Sequence, residues 1–181
     1  MPEPLSLRRR TVDDLETILS WIPDDAALLM FTGPRMVWPP TGAQFADLAA
    51  VPGLTAWVLC AGRTPPLGQA ELRVENGNAH IARVIIDPLL RGRGLSQQLM
   101  GLVLEQACAQ GARSARLKVT KGNAVALRAY RRLGFVIDPR AETAQAWVLE
   151  LDLRSPAAPA PPGSVRPTSH GRSAPGPPRA R

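Results

Sequence analysis

In "IIDPLLRGRGLSQQLMGLVLEQA", Ile85 to Ala107, a run of strand formers passes through Pro88 and the alternation Arg91-Gly92-Arg93-Gly94 into a stretch with helical apolar spacing. A chain written this way must turn a strand tightly into a helix. Gly92 and Gly94 permit the turn and leave the backbone bare, so successive N–H groups can point into one concavity. The helix that follows adds the positive end of its dipole. Such a corner suits an anion, phosphate above all, with Arg91 and Arg93 at hand for further charge. The same residues would serve as an arginine-rich turn that only starts a helix. They are neither a P-loop, since no Lys-Ser/Thr follows at the required distance, nor a dinucleotide fingerprint, since the third glycine and the downstream acid are missing.

The flanking segments say what the corner belongs to. "LSLRR" alternates like a short strand, and Thr11 can cap a helix with apolar positions Val12, Leu15, Ile18, Leu19 and Ile22, ended by Pro23. Thr41 and Gln44 have capping-box spacing ahead of Phe45 and Leu48. Between them, "FTGPRMVWPP" reads as a loop loaded with Phe31, Met36 and Trp38, suited either to packing under a long connection or to walling a cleft. "LTAWVLC", "LGQAELRVE" and "AHIARVIID" form an antiparallel meander, the last two joined at Asn76-Gly77, a strong hairpin signal. After Gly111, "SARLKVT" is a further strand, "NAVALRAYRRLG" a helix begun by Asn123 and closed by Gly134, and "AWVLELDL" a terminal strand. A helix bridges the strand before Pro88 and the strand after Gly111, so those two should lie parallel in an otherwise antiparallel sheet. The fold class is mixed α/β.

Composition enters where it bounds partners. At 181 residues the chain suits one well-buried core, and no apolar run approaches the roughly 20 residues that cross a bilayer. A soluble, cytoplasmic protein is expected. The net charge of +7 invites a nucleic-acid reading, but five arginines, at 154, 166, 172, 179 and 181, lie at or beyond position 154 with no acid among them, leaving +2 for everything before. The tail, 154–181, is rich in Pro, Ala, Gly and Ser and without stacking aromatics, so it reads as a disordered appendage to a domain at 1–153. Cys60 and Cys108 lack any CxxC or Cys/His companion; no metal is expected, and both read as buried free thiols.

A second constellation follows the corner: Asn123-x-x-Ala126-x-x-x-Tyr130-x-x-x-Gly134-Phe135. Together with Arg91-Gly92-Arg93-Gly94 it resembles the GNAT N-acetyltransferase superfamily, whose acetyl-CoA motif is Arg/Gln-x-x-Gly-x-Gly/Ala and whose next motif pairs an Asn with a Tyr seven residues later. The resemblance spans about residues 5 to 153. It implies a mostly antiparallel central sheet splayed between two parallel strands and flanked by helices. It further implies direct acetyl transfer from acetyl-CoA to a primary amine of a small molecule or peptide, in a monomer or homodimer.

By position, the resemblance assigns the CoA pyrophosphate to the bend and helix start, Arg91, Gly92, Arg93, Gly94, Leu95, Ser96 and Gln97. Val84, Ile85 and Ile86 would bind the pantetheine arm and polarise the thioester carbonyl. Asn123 would help fix that arm, besides capping its helix. Tyr130 would protonate the departing thiolate as general acid, its competing role being a core tyrosine. Two positions depart from the pattern. Ser96 stands where Gly or Ala is usual, which a small side chain accommodates. Lys118 stands where relatives acting on ribosomal-protein N-termini carry a glutamate base. A base would then come from elsewhere, with Glu71 the candidate, or water would carry the proton. Glu71 also falls opposite Ala82 or Arg83 in the hairpin, where a cross-strand ion pair is the alternative. His80 reads as a surface residue. A catalytically silent acyl-CoA-binding module is the second functional reading.

Overall fold

The computed structural model describes residues 3–62 and 64–154. The expectation of a disordered tail therefore falls, but for Arg154, outside the described residues. Strand β1 (Leu5–Arg9) leads into helices α1 (Val12–Ser20), α2 (Asp25–Thr32) and α3 (Gly42–Ala49), then the meander β2 (Thr55–Ala61), β3 (Gly68–Glu75) and β4 (Asn78–Ile86). A 3-10 turn at Pro88–Leu90 carries the chain into α4 (Leu95–Ala109), followed by β5 (Ser114–Thr120), α5 (Ala124–Arg132), β6 (Val136–Ile137) and β7 (Ala146–Asp152). The strands form one sheet in the order β1-β2-β3-β4-β5-β7-β6. β4 and β5 run parallel and the other pairings are antiparallel. This is the mixed α/β arrangement that the strand and helix signals call for.

Alternation along the strands makes two cores. On one face Leu59, Leu72, Ile81, Leu117 and Leu149 pack with Leu99, Met100, Val103 and Leu104 of α4 and with Tyr130 and Phe135 from α5 and its exit. On the other, Val58 and Ile85 pack with Ile18, Trp21 and Ile22 at the end of α1 and Leu28 of α2.

α1 starts on a full capping box. Thr11 Oγ1 accepts the Asp14 N–H, and the Asp14 carboxylate accepts the Thr11 N–H at 2.7 Å and both guanidinium arms of Arg8 at 2.6 and 2.7 Å. The Arg8 guanidinium, reinforced by Thr11, holds the Asp14 carboxyl down at about 2. A depressed carboxylate stabilises the fold above its unfolded value of about 3.9 and loses that contribution as pH falls towards its folded value. Asp14→Ala should cost about 1–3 kcal/mol in denaturant unfolding at pH 7, because it removes the cap and the carboxylate that a part-exposed Arg8 holds. The difference from the parent should shrink between about pH 4 and 2; an equal difference across that range would refute the account.

Three local features differ from the sequence reading. α2 was not anticipated: its eight residues, DAALLMFT, are apolar nearly all round, so no helical stripe marks them, and the start rests on Asp24, which accepts the Ala27 N–H at 2.7 Å. Phe31 thus belongs to a helix and meets Phe45, ring centroids 6.1 Å apart. At α3, Thr41 does cap, but the Gln44 side chain turns outward, accepting the Val37 N–H at 2.9 Å and donating to the Pro39 carbonyl at 3.3 Å. It ties down the loop instead of closing a box. Cys60 is buried as expected, whereas Cys108 is exposed, because Leu104 and Ala107 take the inward face of α4.

Candidate active site

β4 and β5 are paired only from Asn78↔Ser114 to Ile81↔Leu117. Past Ile81 they part. β5 stays paired with β7 through Thr120↔Ala146, and β4 stays paired with β3 to Ile86↔Gly68. The β5-facing edge of β4 from Ala82 to Ile86 is therefore open, which is the splay that frees Val84, Ile85 and Ile86. A bulge lies just past the point of parting. Between Gln69↔Ile85 and Glu71↔Ala82 the register shifts by one residue, and Arg83 there has φ +47°, a left-handed backbone rare for a side chain of its size.

The corner lies at the open end of this slot. The Asp87 N–H donates to the Leu67 carbonyl at 3.0 Å, Asp87 Oδ1 accepts the Leu89 N–H at 2.9 Å, and Arg91 Nε donates back to the Ile86 carbonyl at 3.3 Å. The bend is thus fastened to the strand it leaves. Gly92 and Gly94 have φ +78° and +76°, and a β-carbon on either would meet nothing within 4 Å. Among the described residues no side chain caps α4. Among the described residues no acceptor takes the backbone N–H groups from Arg91 to Ser96; the first inward bond runs from the Gln97 N–H to the Gly94 carbonyl at 3.0 Å. An exposed helix start with bare donors and open space in front fits a diphosphate. Arg93 is exposed beside it.

Asn123 caps α5, its Oδ1 accepting the Ala126 N–H at 3.1 Å, which leaves its amide NH₂ for another partner. Tyr130 sits in the core, edge-on to Phe135 with centroids 6.0 Å apart, and burial pushes its phenol well above the ordinary value. It is not among the sealed polar atoms without a partner in the described residues, which are Trp57 Nε1, Glu71 Oε1 and Arg83 Nε.

Glu71 is fully buried and ion-paired. One oxygen meets Arg83 Nη2, and the other lies 3.5 Å from Arg10 Nη1. The hairpin register puts Ala82 opposite it, and the cross-strand ion pair forms with the next residue, Arg83, at the bulge, with Arg10 as a partner that counting along the hairpin could not find. Burial lowers the Arg10 guanidinium, with Glu71 acting the other way. His80 is exposed, on the uncovered part of the sheet face. Over the slot, α2 touches β4 and β5, and Met30 reaches the turn at Gly122, its methyl 3.7 Å from where a β-carbon on that glycine would lie. Leu29 and Met30 of α2 are exposed apolar side chains, as are Val37 and Trp38 in the loop that follows it. Among the described residues there is no cluster of three or more metal-ligating side chains, and no helix is long and apolar enough to cross a membrane.

A family model described as "Acetyltransferase (GNAT) family" matches residues 25–135. Solved structures of similar fold include a domain from Methanocaldococcus jannaschii, 18% identical over 83% of this chain and 99% of that one, with a TM-score of 0.69. Spermidine N-acetyltransferase from Vibrio cholerae, in complex with CoA and spermine, is 17% identical over 82% and 95%, TM-score 0.66. The ribosomal-protein-S18-alanine N-acetyltransferase from Escherichia coli is 16% identical over 82% and 94%, TM-score 0.62. A search of curated sequences finds no match.

Proposed function

The chain belongs to the GNAT acetyltransferase family, and on that premise we propose that it transfers acetyl from acetyl-CoA directly to a primary amine of a small molecule or peptide. The observation that carries this is the run of backbone donors from Arg91 to Ser96 that meet no acceptor among the described residues, opening at the end of the splayed slot. Acetyl-CoA, when bound, supplies the acyl group in activated thioester form. The bend and the start of α4 hold its diphosphate through peptide N–H groups, with Arg93 adding charge. Arg91, whose Nε is engaged with the Ile86 carbonyl, contributes mainly by fixing the bend.

Val84, Ile85 and Ile86 offer the peptide groups that β5 has left unpaired, and one of their N–H groups stabilises negative charge on the carbonyl oxygen. The free NH₂ of Asn123 steadies the pantetheine arm. Tyr130 stays neutral at pH 7, since burial raises a phenol that already ionises only near 10. So reluctant an acid acts first as a hydrogen-bond donor to sulfur and yields its proton as the C–S bond parts and the new C–N bond forms. The proton shed by the nitrogen leaves through water, and water returns a proton to the Tyr130 oxygen. The sealed position of Glu71 between two guanidiniums gives it no path to an incoming amine. The exposed apolar side chains on α2 and the following loop suit an acceptor with an apolar body.

The deciding experiment pairs calorimetric titration with CoA with an assay of thiol release from acetyl-CoA, run against amino acids, aminoglycosides, polyamines and short peptides. Micromolar CoA binding and release with at least one amine are expected. Binding without release across a wide amine panel would favour a silent acyl-CoA-binding module, and absence of binding would end both readings.

A further inference from the structure

The bulge in β4 lies where the slot begins, and an arginine is a poor residue to occupy it. A left-handed backbone is disfavoured for a residue with a β-carbon, so the conformation persists only where surrounding contacts impose it. Here the contacts close on themselves. The Arg83 guanidinium pairs with Glu71, the far oxygen of Glu71 lies 3.5 Å from Arg10 Nη1, and that nitrogen donates to Gln69 Oε1 at 2.9 Å. Gln69 Nε2 then donates to the backbone carbonyl of Arg83 at 3.3 Å. The bulged residue is gripped at its side chain and at its own peptide. Gln69 and Glu71 are fully buried, and the Phe45 ring covers Arg10 at 5.6 Å.

We propose that Glu71 is a positioning residue: with Arg10, Gln69 and Arg83 it forms a buried ring that fixes the bulge and so keeps the peptide groups of Val84 to Ile86 turned out of the β4–β5 ladder. The functional consequence rests on the acetyltransfer reading; the structural claim does not. The ring's parts come from β1's end, β3 and β4, so it also anchors the start of α1 to the strand that lines the slot. Its charges do not cancel, two guanidiniums facing one carboxylate, and Glu71 Oε1 and Arg83 Nε lack hydrogen-bond partners among the described residues. Geometry, not saturation of every donor, is what the arrangement achieves.

The test compares Glu71→Gln, Arg83→Val and Arg83→Gly. Valine disfavours φ +47°, whereas glycine adopts it freely and so keeps the bulge without the ring. Amide hydrogen exchange on the free protein should quicken at least tenfold across residues 83–87 in Glu71→Gln and Arg83→Val, and much less in Arg83→Gly. CoA affinity and the KM for acetyl-CoA should worsen about tenfold or more in the first two, with kcat less affected, while Arg83→Gly recovers most of the loss. The acid limb of the kcat/KM profile should persist in Glu71→Gln. Loss of that limb with unchanged exchange and affinity would make Glu71 a base and overturn the proposal. Equal exchange in the valine and glycine variants would overturn it as well, even if Glu71→Gln fails to fold. Because exchange is read without CoA or turnover, a failure of the ring is distinguishable from a failure of the acetyltransferase reading.

Discussion

Tyr130→Phe should bind CoA as tightly as the parent and turn over about 10²- to 10⁴-fold more slowly, the range that a positioned proton donor supplies. The substitution deletes one oxygen and keeps the ring, so the edge contact with Phe135 and the packing against Leu133 survive. Stability should barely change. Thiol release measures the rate and calorimetry the affinity. An undiminished kcat would mean that sulfur is protonated by water or by another group, and a fall in CoA affinity equal to the fall in rate would make Tyr130 a packing residue only.

Gly94→Asp should fold and yet lose at least about 100-fold in CoA affinity, because like charges brought together in a binding site cost several kcal/mol. Aspartate is among the few residues that visit the left-handed region, in which Gly94 sits at φ +76°, and its β-carbon would meet nothing within 4 Å. The fold is therefore spared, while a carboxylate is set at the mouth of the donors meant for a diphosphate. Gly94→Asn is the control: similar in shape and uncharged, it should lose far less. If the two variants bind CoA equally well, the bend does not hold the diphosphate.

Much of the architecture is legible in the sequence because its causes are local. The hairpin at Asn76-Gly77 forms with both residues at positive φ, as a two-residue turn between twisted strands demands, and the span of β5 coincides with "SARLKVT". The parallel pair follows from a single helix joining two strands. What escapes is whatever depends on distant neighbours. α2 has no stripe because its own residues are apolar nearly all round, and which of them turns inward, Leu28, is decided by the sheet it packs on. Cys108 looks internal in an apolar run, but a helix exposes one side of any such run. The bulge is the clearest case. Nothing about Arg83 in "AHIARVIID" announces a left-handed residue, because its cause is a ring whose other members lie at positions 10, 69 and 71. The cradle at Arg91–Ser96 could be read as an anion site from glycine placement alone, whereas its freedom from internal acceptors is visible only in three dimensions.

The short pairing of β4 with β5 has a mechanical consequence. Everything on the β4 side of the sheet is built from residues up to Ile86, and everything on the β5 side from Ser114 onward, with α4 bridging the two. The sheet is thus two sequence-contiguous panels stitched together over Asn78–Ile81 alone. A ligand lodged above the last stitch would act as a splint, touching both panels where the backbone has stopped joining them.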